Sequence, residues 1–361
     1  MVEIGCRTCH SRYPDRELPY LCINCGGIYD QIGIPEFNMN KIEPDLPGIW
    51  KFRHTFGLSS KIPIISLGEG NTPLIVDEVF QSKIGWKVEF LNPTSSYKDR
   101  GSSILVSFLN NRGVSSAVED SSGNAGASFA AYAARAGIRA TIFIPRSASG
   151  PKMTQIQTYG AEMRTISGPR SAAADAVRNE VKFGNAYASH AYLPFGVIGS
   201  MTIAFELISQ MDSTPGTIIA PVGHGSLLLG LIRGFNALKY SDNISQIPAF
   251  IGVQARACAP VWEKFANDNG ELLESHTIAE GVSVRNPVWA ETLLEEMNGK
   301  FDRIITVMEE QIITGRNNLA KRGLYVEPTT AIVWDALTQV VGKVPEPIVI
   351  ILTGVGYKYG I

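Results

Sequence analysis

Short apolar runs recur from about residue 66 to the end of the chain, and a stretch with helical spacing separates each from the next. The runs are 87–91 (KVEFL), 116–121 (SAVEDS), 139–144 (RATIFI), 161–166 (AEMRTI), 217–222 (TIIAPV), 249–255 (AFIGVQA) and 347–353 (PIVIILT). Segments such as 124–136 and 171–182 carry the helical spacing. Strands that alternate with helices are joined by right-handed crossovers and lie parallel. The expected fold class is therefore α/β: two open parallel-sheet domains with helices on both faces and a cleft between them.

Of the 361 residues, 45% are hydrophobic and 18% charged, which suits a globular chain with a sizeable core. Thirty-two Lys and Arg against 34 Asp and Glu leave a net charge of −2, so nothing in the balance calls for nucleic acid or an acidic membrane as partner. The N-terminus lacks the basic stretch and apolar run of a secretory leader, and the most apolar stretch, 347–352, is far too short to span a bilayer. The expectation is a cytoplasmic protein.

Four of the five cysteines fall within the first 25 residues, as Cys6-x-x-Cys9 and Cys22-x-x-Cys25. Two such knuckles can close a tetrahedral Zn²⁺ site, and Gly26-Gly27 permits the tight turn. Four cysteines leave no open position, so the metal is expected to be structural, in a zinc-ribbon-like segment over residues 1–30. His10, beside Cys9, is surplus to such a site.

Three strand ends carry polar turns. In the segment 92–101, Lys98 stands at the start of a helix that follows a strand end, the edge where ligands collect in an open α/β sheet. A helix N-terminus disfavours a charged amine, which eases Lys98 into the form a Schiff base requires, although a lone lysine in this place is more often a solvated first-turn residue. Ser121, Ser122, Gly123, Asn124, Ala125 and Gly126 open another helix, whose unpaired N–H groups suit a carboxylate. Asn124 is either that helix's cap or an amide donor to a phenolate oxygen. Gly223, His224, Gly225 and Ser226 leave a third strand and form a nest suited to phosphate. Leu228 stands where a dinucleotide fingerprint needs its third Gly, which weakens a nicotinamide dehydrogenase reading. Thr353 puts a neutral hydroxyl at the same sheet edge.

Taken in order, these segments resemble the pyridoxal phosphate (PLP)-dependent fold type II shared by threonine synthases, cysteine synthases, serine/threonine dehydratases and the tryptophan synthase β chain. The threonine synthase branch is nearest. Leu67-Gly68-Glu69-Gly70-Asn71-Thr72-Pro73-Leu74 resembles that branch's entry motif, and Asn92 to Gly101 is similar to its N-P-T-G-S-F-K-D-R-G. Glu327-Pro328-Thr329-Thr330-Ala331 and Leu352-Thr353-Gly354 are similar to E-P-A-S-A and L-T-G-H-G. A cysteine-rich ribbon also occurs in that branch and in the related cysteate synthases.

The resemblance implies that Lys98 holds PLP as a Schiff base and moves protons, and that Asn124 bonds the cofactor's O3′. Gly223, His224, Gly225 and Ser226 would hold its phosphate, and Thr353 would face its pyridine nitrogen. Ser121, Ser122, Gly123, Ala125 and Gly126 would take the carboxylate of a small amino-acid substrate. It further implies a homodimer, and a division into ribbon (1–30), arm (31–65), a large PLP-binding domain (66–100 with 190–361) and a small α/β domain (101–189).

One stretch departs from the branch. Gly196 stands where an arginine for the substrate phosphate is expected, His190 and Leu193 replace asparagines, Met201 replaces a lysine, and Ala125 replaces a threonine. Gly supplies no donor for phosphate. His190 and His224 read either as replacement donors or as loop and core histidines. Ala279-Glu280-Gly281 is more like the dehydratase branch. The expected activity is threonine synthase-like, turning O-phosphohomoserine into threonine and phosphate. The alternatives are β-replacement or dehydration of serine, threonine or O-phosphoserine, and a zinc-ribbon binding module with an inactive enzyme-like body. No basic ribbon face supports nucleic-acid binding: Arg7, Arg12 and Arg16 stand against Glu3, Asp15, Glu17 and Asp30.

Overall fold

The structure is a computed structural model that describes residues 2–146, 148, 150–168, 170–267 and 276–359. Its strands are β1 (Glu3–Cys6), β2 (Tyr29–Ile32), β3 (Leu74–Val79), β4 (Ser82–Lys87), β5 (Ser116–Glu119), β6 (Arg139–Pro145), β7 (Glu162–Ile166), β8 (Ala186–Tyr187), β9 (Thr217–Pro221), β10 (Ala249–Ala255), β11 (Arg303–Val307) and β12 (Ile348–Ile351). Its helices are α1 (Lys98–Asn111), α2 (Asn124–Ala136), α3 (Pro151–Thr158), α4 (Arg170–Lys182), α5 (Phe195–Gln210), α6 (Ser226–Tyr240), α7 (Pro260–Ala266), α8 (Ala290–Glu296), α9 (Glu309–Ala320) and α10 (Pro328–Val340). No helix among the described residues is long and apolar enough to cross a membrane.

A six-stranded sheet runs β11-β10-β9-β12-β4-β3, a four-stranded sheet runs β7-β6-β5-β8, and β1 pairs with β2 near the N-terminus. The four-stranded sheet is parallel throughout. The larger sheet is parallel except for β3, which turns back antiparallel on β4 as an edge strand. The all-parallel expectation therefore needs correcting at that edge. The reason is local: only two residues, Phe80 and Gln81, separate β3 from β4, and both adopt positive φ. A connection that short makes a hairpin and cannot make a crossover.

Side chains along the strands alternate between two cores. Ile218, Ala220, Phe250, Val349 and Ile351 pack with α5 and α6, whereas Ile219, Ile251, Val253, Ile348 and Ile350 pack with α10. A parallel sheet buried on both faces needs helices on both, and the apolar runs are continuous for that reason. In the smaller sheet Ala117 and Ile142 face α2, while Val118 and Phe143 face α4.

The run 87–91 is not a strand. The strand ends at Lys87, and Glu89–Leu91 forms a 3-10 turn. Buried Glu89 turns its carboxylate onto Arg100, whose Nε and Nη2 donate to Oε2 and Oε1, each at 2.7 Å. That inward charge pair breaks the extended run.

Candidate active site

The carboxyl ends of β5, β9 and β12 lead into one cavity. Its wall includes Lys98, Ser121, Ser122, Gly123, Asn124 and Ala125, then Gly223, His224, Gly225, Ser226 and Thr353. Residues far apart in the chain therefore meet as the strand-end reading expects.

Lys98 is the first residue of α1, and its amine lies 5.0 Å from the ring centre of Tyr97. The preceding loop is pinned to the strand end across the cavity: the Tyr97 N–H donates to the Thr353 carbonyl (3.1 Å) and the Phe90 N–H to that of Leu352 (3.0 Å). Ser95 sits at φ +65°, where the motif it resembles has Gly. Thr353 Oγ1 lies 2.7 Å from Thr330 Oγ1, so its hydroxyl is held in place from α10.

The glycine turn has the geometry of an anion nest. Gly225 adopts φ +98°, and a Cβ on Gly223 would lie 2.8 Å from the Gly281 carbonyl oxygen. Ser226 then opens α6, whose first-turn N–H groups have no side-chain cap.

Asn124 begins α2 and does not cap it. Its Nδ2 donates to Glu327 Oε1 (2.8 Å), and its Oδ1 accepts from Lys358 Nζ (3.2 Å). Burial draws Lys358 down to about 8. Lys152 Nζ approaches Glu327 Oε2 at 3.2 Å. Lys152, Glu280 and Glu327 border the cavity and were not anticipated as site residues; only the motifs at Ala279–Gly281 and Glu327–Ala331 hinted at two of them.

Gly126 is absent from the cavity wall. A Cβ there would lie 1.9 Å from the Ser121 carbonyl oxygen, so its smallness lets α2 seat against the loop. Gly101 and Gly199 have a comparable reason: a Cβ on Gly101 would lie 2.8 Å from the Gly196 Cα, and one on Gly199 2.5 Å from the Arg100 carbonyl carbon. These two glycines let α1 and α5 cross almost backbone to backbone, whereas a Cβ on Gly196 would meet nothing nearer than the His190 carbonyl oxygen at 3.5 Å.

His190 also borders the cavity, in hydrogen-bond contact with buried Glu119 through Nδ1. At the N-terminus, the sulfurs of Cys6, Cys9, Cys22 and Cys25 all lie within 4.8 Å of one another. Cys6–Cys25 and Cys9–Cys22 are 3.5 and 3.6 Å apart, close to the ~3.8 Å edge of a tetrahedron with bonds of about 2.3 Å. Contact with Ser11 Oγ holds the Cys22 thiol down to about 5.

The family model of pyridoxal-phosphate dependent enzymes matches residues 65–354. The chain belongs to that family. It is 31% identical to the threonine synthase of Methanocaldococcus jannaschii, over 98% of this chain and 92% of that one. It is 30% identical to the threonine synthase of Halalkalibacterium halodurans, over 85% and 88%. Among solved structures, maize serine racemase superposes with a TM-score of 0.68 at 22% identity, covering 79% of this chain and 88% of that one. A bacterial threonine deaminase, from T.th., gives 0.67 at 26%, covering 80% and 94%. Within the PLP-dependent family the chain is threonine synthase-like, and its α/β fold is the one these enzymes share.

Proposed function

We propose that this PLP-dependent enzyme is a carbon–oxygen lyase of the threonine synthase kind, converting O-phosphohomoserine to threonine and phosphate. The observation that carries the reading is the single cavity shared by Lys98, the 223–226 turn, the loop at 121–125 and Thr353.

When bound, PLP draws electrons from the carbon that bears the substrate's amino group. The chain's own residues suit it. Lys98 supplies the amine from the first residue of α1. The main-chain N–H groups of 223–226, at an uncapped helix start after a glycine at φ +98°, suit phosphate. Asn124 offers its amide to the ring's phenolate oxygen. Thr353, tied to Thr330, offers the pyridine nitrogen a hydroxyl where a carboxylate would hold it protonated. The ring is then the weaker electron sink, which suits elimination and replacement over transamination. The start of α2 suits the substrate carboxylate.

Gly196 and the bordering Glu280 and Gly281 favour a second reading, dehydration or β-replacement on serine, threonine or O-phosphoserine. We further propose that the four-cysteine cluster holds one structural Zn²⁺, on the strength of its sulfur spacing.

A substrate panel tests the two. Threonine and phosphate released from O-phosphohomoserine support the first. Ammonia and keto acid from serine or threonine, with O-phosphohomoserine inert, support the second. Turnover of none of them by protein with bound PLP overturns both.

A further inference from the structure

His190 precedes α5 and borders two adjoining cavities, the one described above and a smaller one lined by Lys98, Ser102, Ser189, Gly196 and Ser226. Its Nδ1 meets Oε1 of Glu119, which ends β5 and is fully buried. The other oxygen of Glu119 accepts the Ser121 N–H, at the head of the loop suited to the substrate carboxylate. With Glu119, which accepts the Ser121 N–H, taken as a carboxylate, Nδ1 of His190 carries the proton of their contact and Nε2 is the nitrogen that exchanges one. Neighbouring groups are engaged as well: the His224 ring stands edge-on at 5.7 Å, and Asp120 accepts the Tyr187 hydroxyl at 2.7 Å. No arginine lines either cavity among the described residues. Lys152 also lines the larger cavity, with its amine 3.2 Å from Glu327 Oε2. The smaller cavity beside Lys98, which Lys152 does not line, presents an oxygen leaving group with an imidazole and hydroxyls.

We infer that His190, oriented by Glu119, is the acid–base group that serves the substrate's leaving oxygen, while Lys98 serves the carbon-bound proton. The inference rests on the second reading above, dehydration or β-replacement. In the elimination, the Lys98 amine takes a proton from carbon. The neighbouring C–O bond breaks with its electron pair going to oxygen, and the imidazolium Nε2–H gives that oxygen its proton. When water adds, its oxygen bonds to carbon, its proton goes to Nε2, and Lys98 returns a proton to the adjacent carbon. Both groups end as they began. The favoured substrate class is an amino acid whose oxygen group departs poorly without a proton, a hydroxyl above a phosphate ester.

The test uses the PLP-loaded enzyme and its His190→Gln and Glu119→Gln variants, with serine, O-phosphoserine and O-acetylserine as substrates. His190→Gln keeps the visible absorbance and the borohydride labelling of Lys98. It lowers kcat for serine by about 10²–10⁴-fold, and by clearly less for the two esters. Glu119→Gln acts in the same direction, and the double variant loses little more than either single one. Equal losses across the three leaving groups overturn the assignment. Should the variants fail to fold, imidazole ¹⁵N NMR of the wild-type enzyme decides: a proton on Nδ1 at Glu119 supports the dyad, and an Nε2–H tautomer sinks it. Wild-type enzyme inert toward all three would count against the dehydration or β-replacement reading on which the inference rests, whereas leaving-group-independent losses count against His190 alone.

Discussion

Lys98 opens α1, Ser226 opens α6, and the two residues border the same pair of cavities. Two helix N-termini thus converge on one small volume, each equivalent to roughly half a positive charge. An anionic ligand is favoured there before any side chain is counted.

Replacing Lys98 with Ala leaves the fold intact and abolishes covalent attachment of PLP. Purified wild-type protein is expected to be yellow and to take a borohydride label at Lys98. The Lys98→Ala variant is expected to release its cofactor on dialysis and to take no label. Retained label in that variant would refute the assignment.

Gly225→Val places a branched side chain at φ +98°, with its Cβ 3.2 Å from that of Trp289. Affinity for PLP should fall by at least about tenfold, roughly 1.4 kcal/mol, read as fluorescence quenching on titration of the cofactor-free protein. The urea midpoint should fall as well, because left-handed backbone at a β-branched residue is strained.

Glu206 accepts from Arg100 Nη1 (2.7 Å) and Lys87 Nζ (2.6 Å), all three side chains being out of reach of water. Burial opposes its ionisation, but Arg100 and Lys87 outweigh burial and take Glu206 down to about 2, below its ordinary 4.5. Its folded form therefore binds its proton less readily than the unfolded chain does. The stability it contributes is complete above about pH 4.5 and drains away as pH falls toward 2. Glu206→Ala leaves buried Lys87 without its carboxylate and Arg100 with Glu89 alone, and should cost about 3–5 kcal/mol in urea denaturation at pH 7. It should also flatten the acid limb of the stability profile.

Elemental analysis of reduced protein should give one zinc per chain, and Cys22→Ser should abolish it. Chelation should release the metal and unfold residues 1–30, seen as faster amide exchange at Cys6 and Tyr29. Fewer than about 0.2 Zn per chain in freshly reduced protein would contradict the assignment.

Several elements could be read from the chain before folding. The β-branched runs at 217–222, 249–255 and 347–353 became β9, β10 and β12 within about two residues, because burial on both faces makes a run continuous. Lys98, Gly225, Ser226 and Thr353 stood out because strand ends and helix starts mark themselves locally. By contrast β3 hides: an edge strand buries so few side chains that Leu74–Val79 carries Asp77 and Glu78 among its apolar residues. The β-branched stretch within Arg303–Val307 was a signal that could have revealed β11. Glu119 was beyond reach, lying within a run that reads as strand. Only its meeting with His190, 71 positions on, gives it a chemical part.

Arg233 grips Asp30 of β2 through both terminal nitrogens, at 2.6 and 2.8 Å, and reaches Glu296 at 2.9 Å. It lies on α6 seven residues past Ser226, about 10 Å along the same rigid rod. The helix that starts at the glycine turn is thus bolted, midway along its length, to the thiol-bearing segment. Oxidation that joined those thiols as disulfides would therefore bear on the turn from the other side of that bolt.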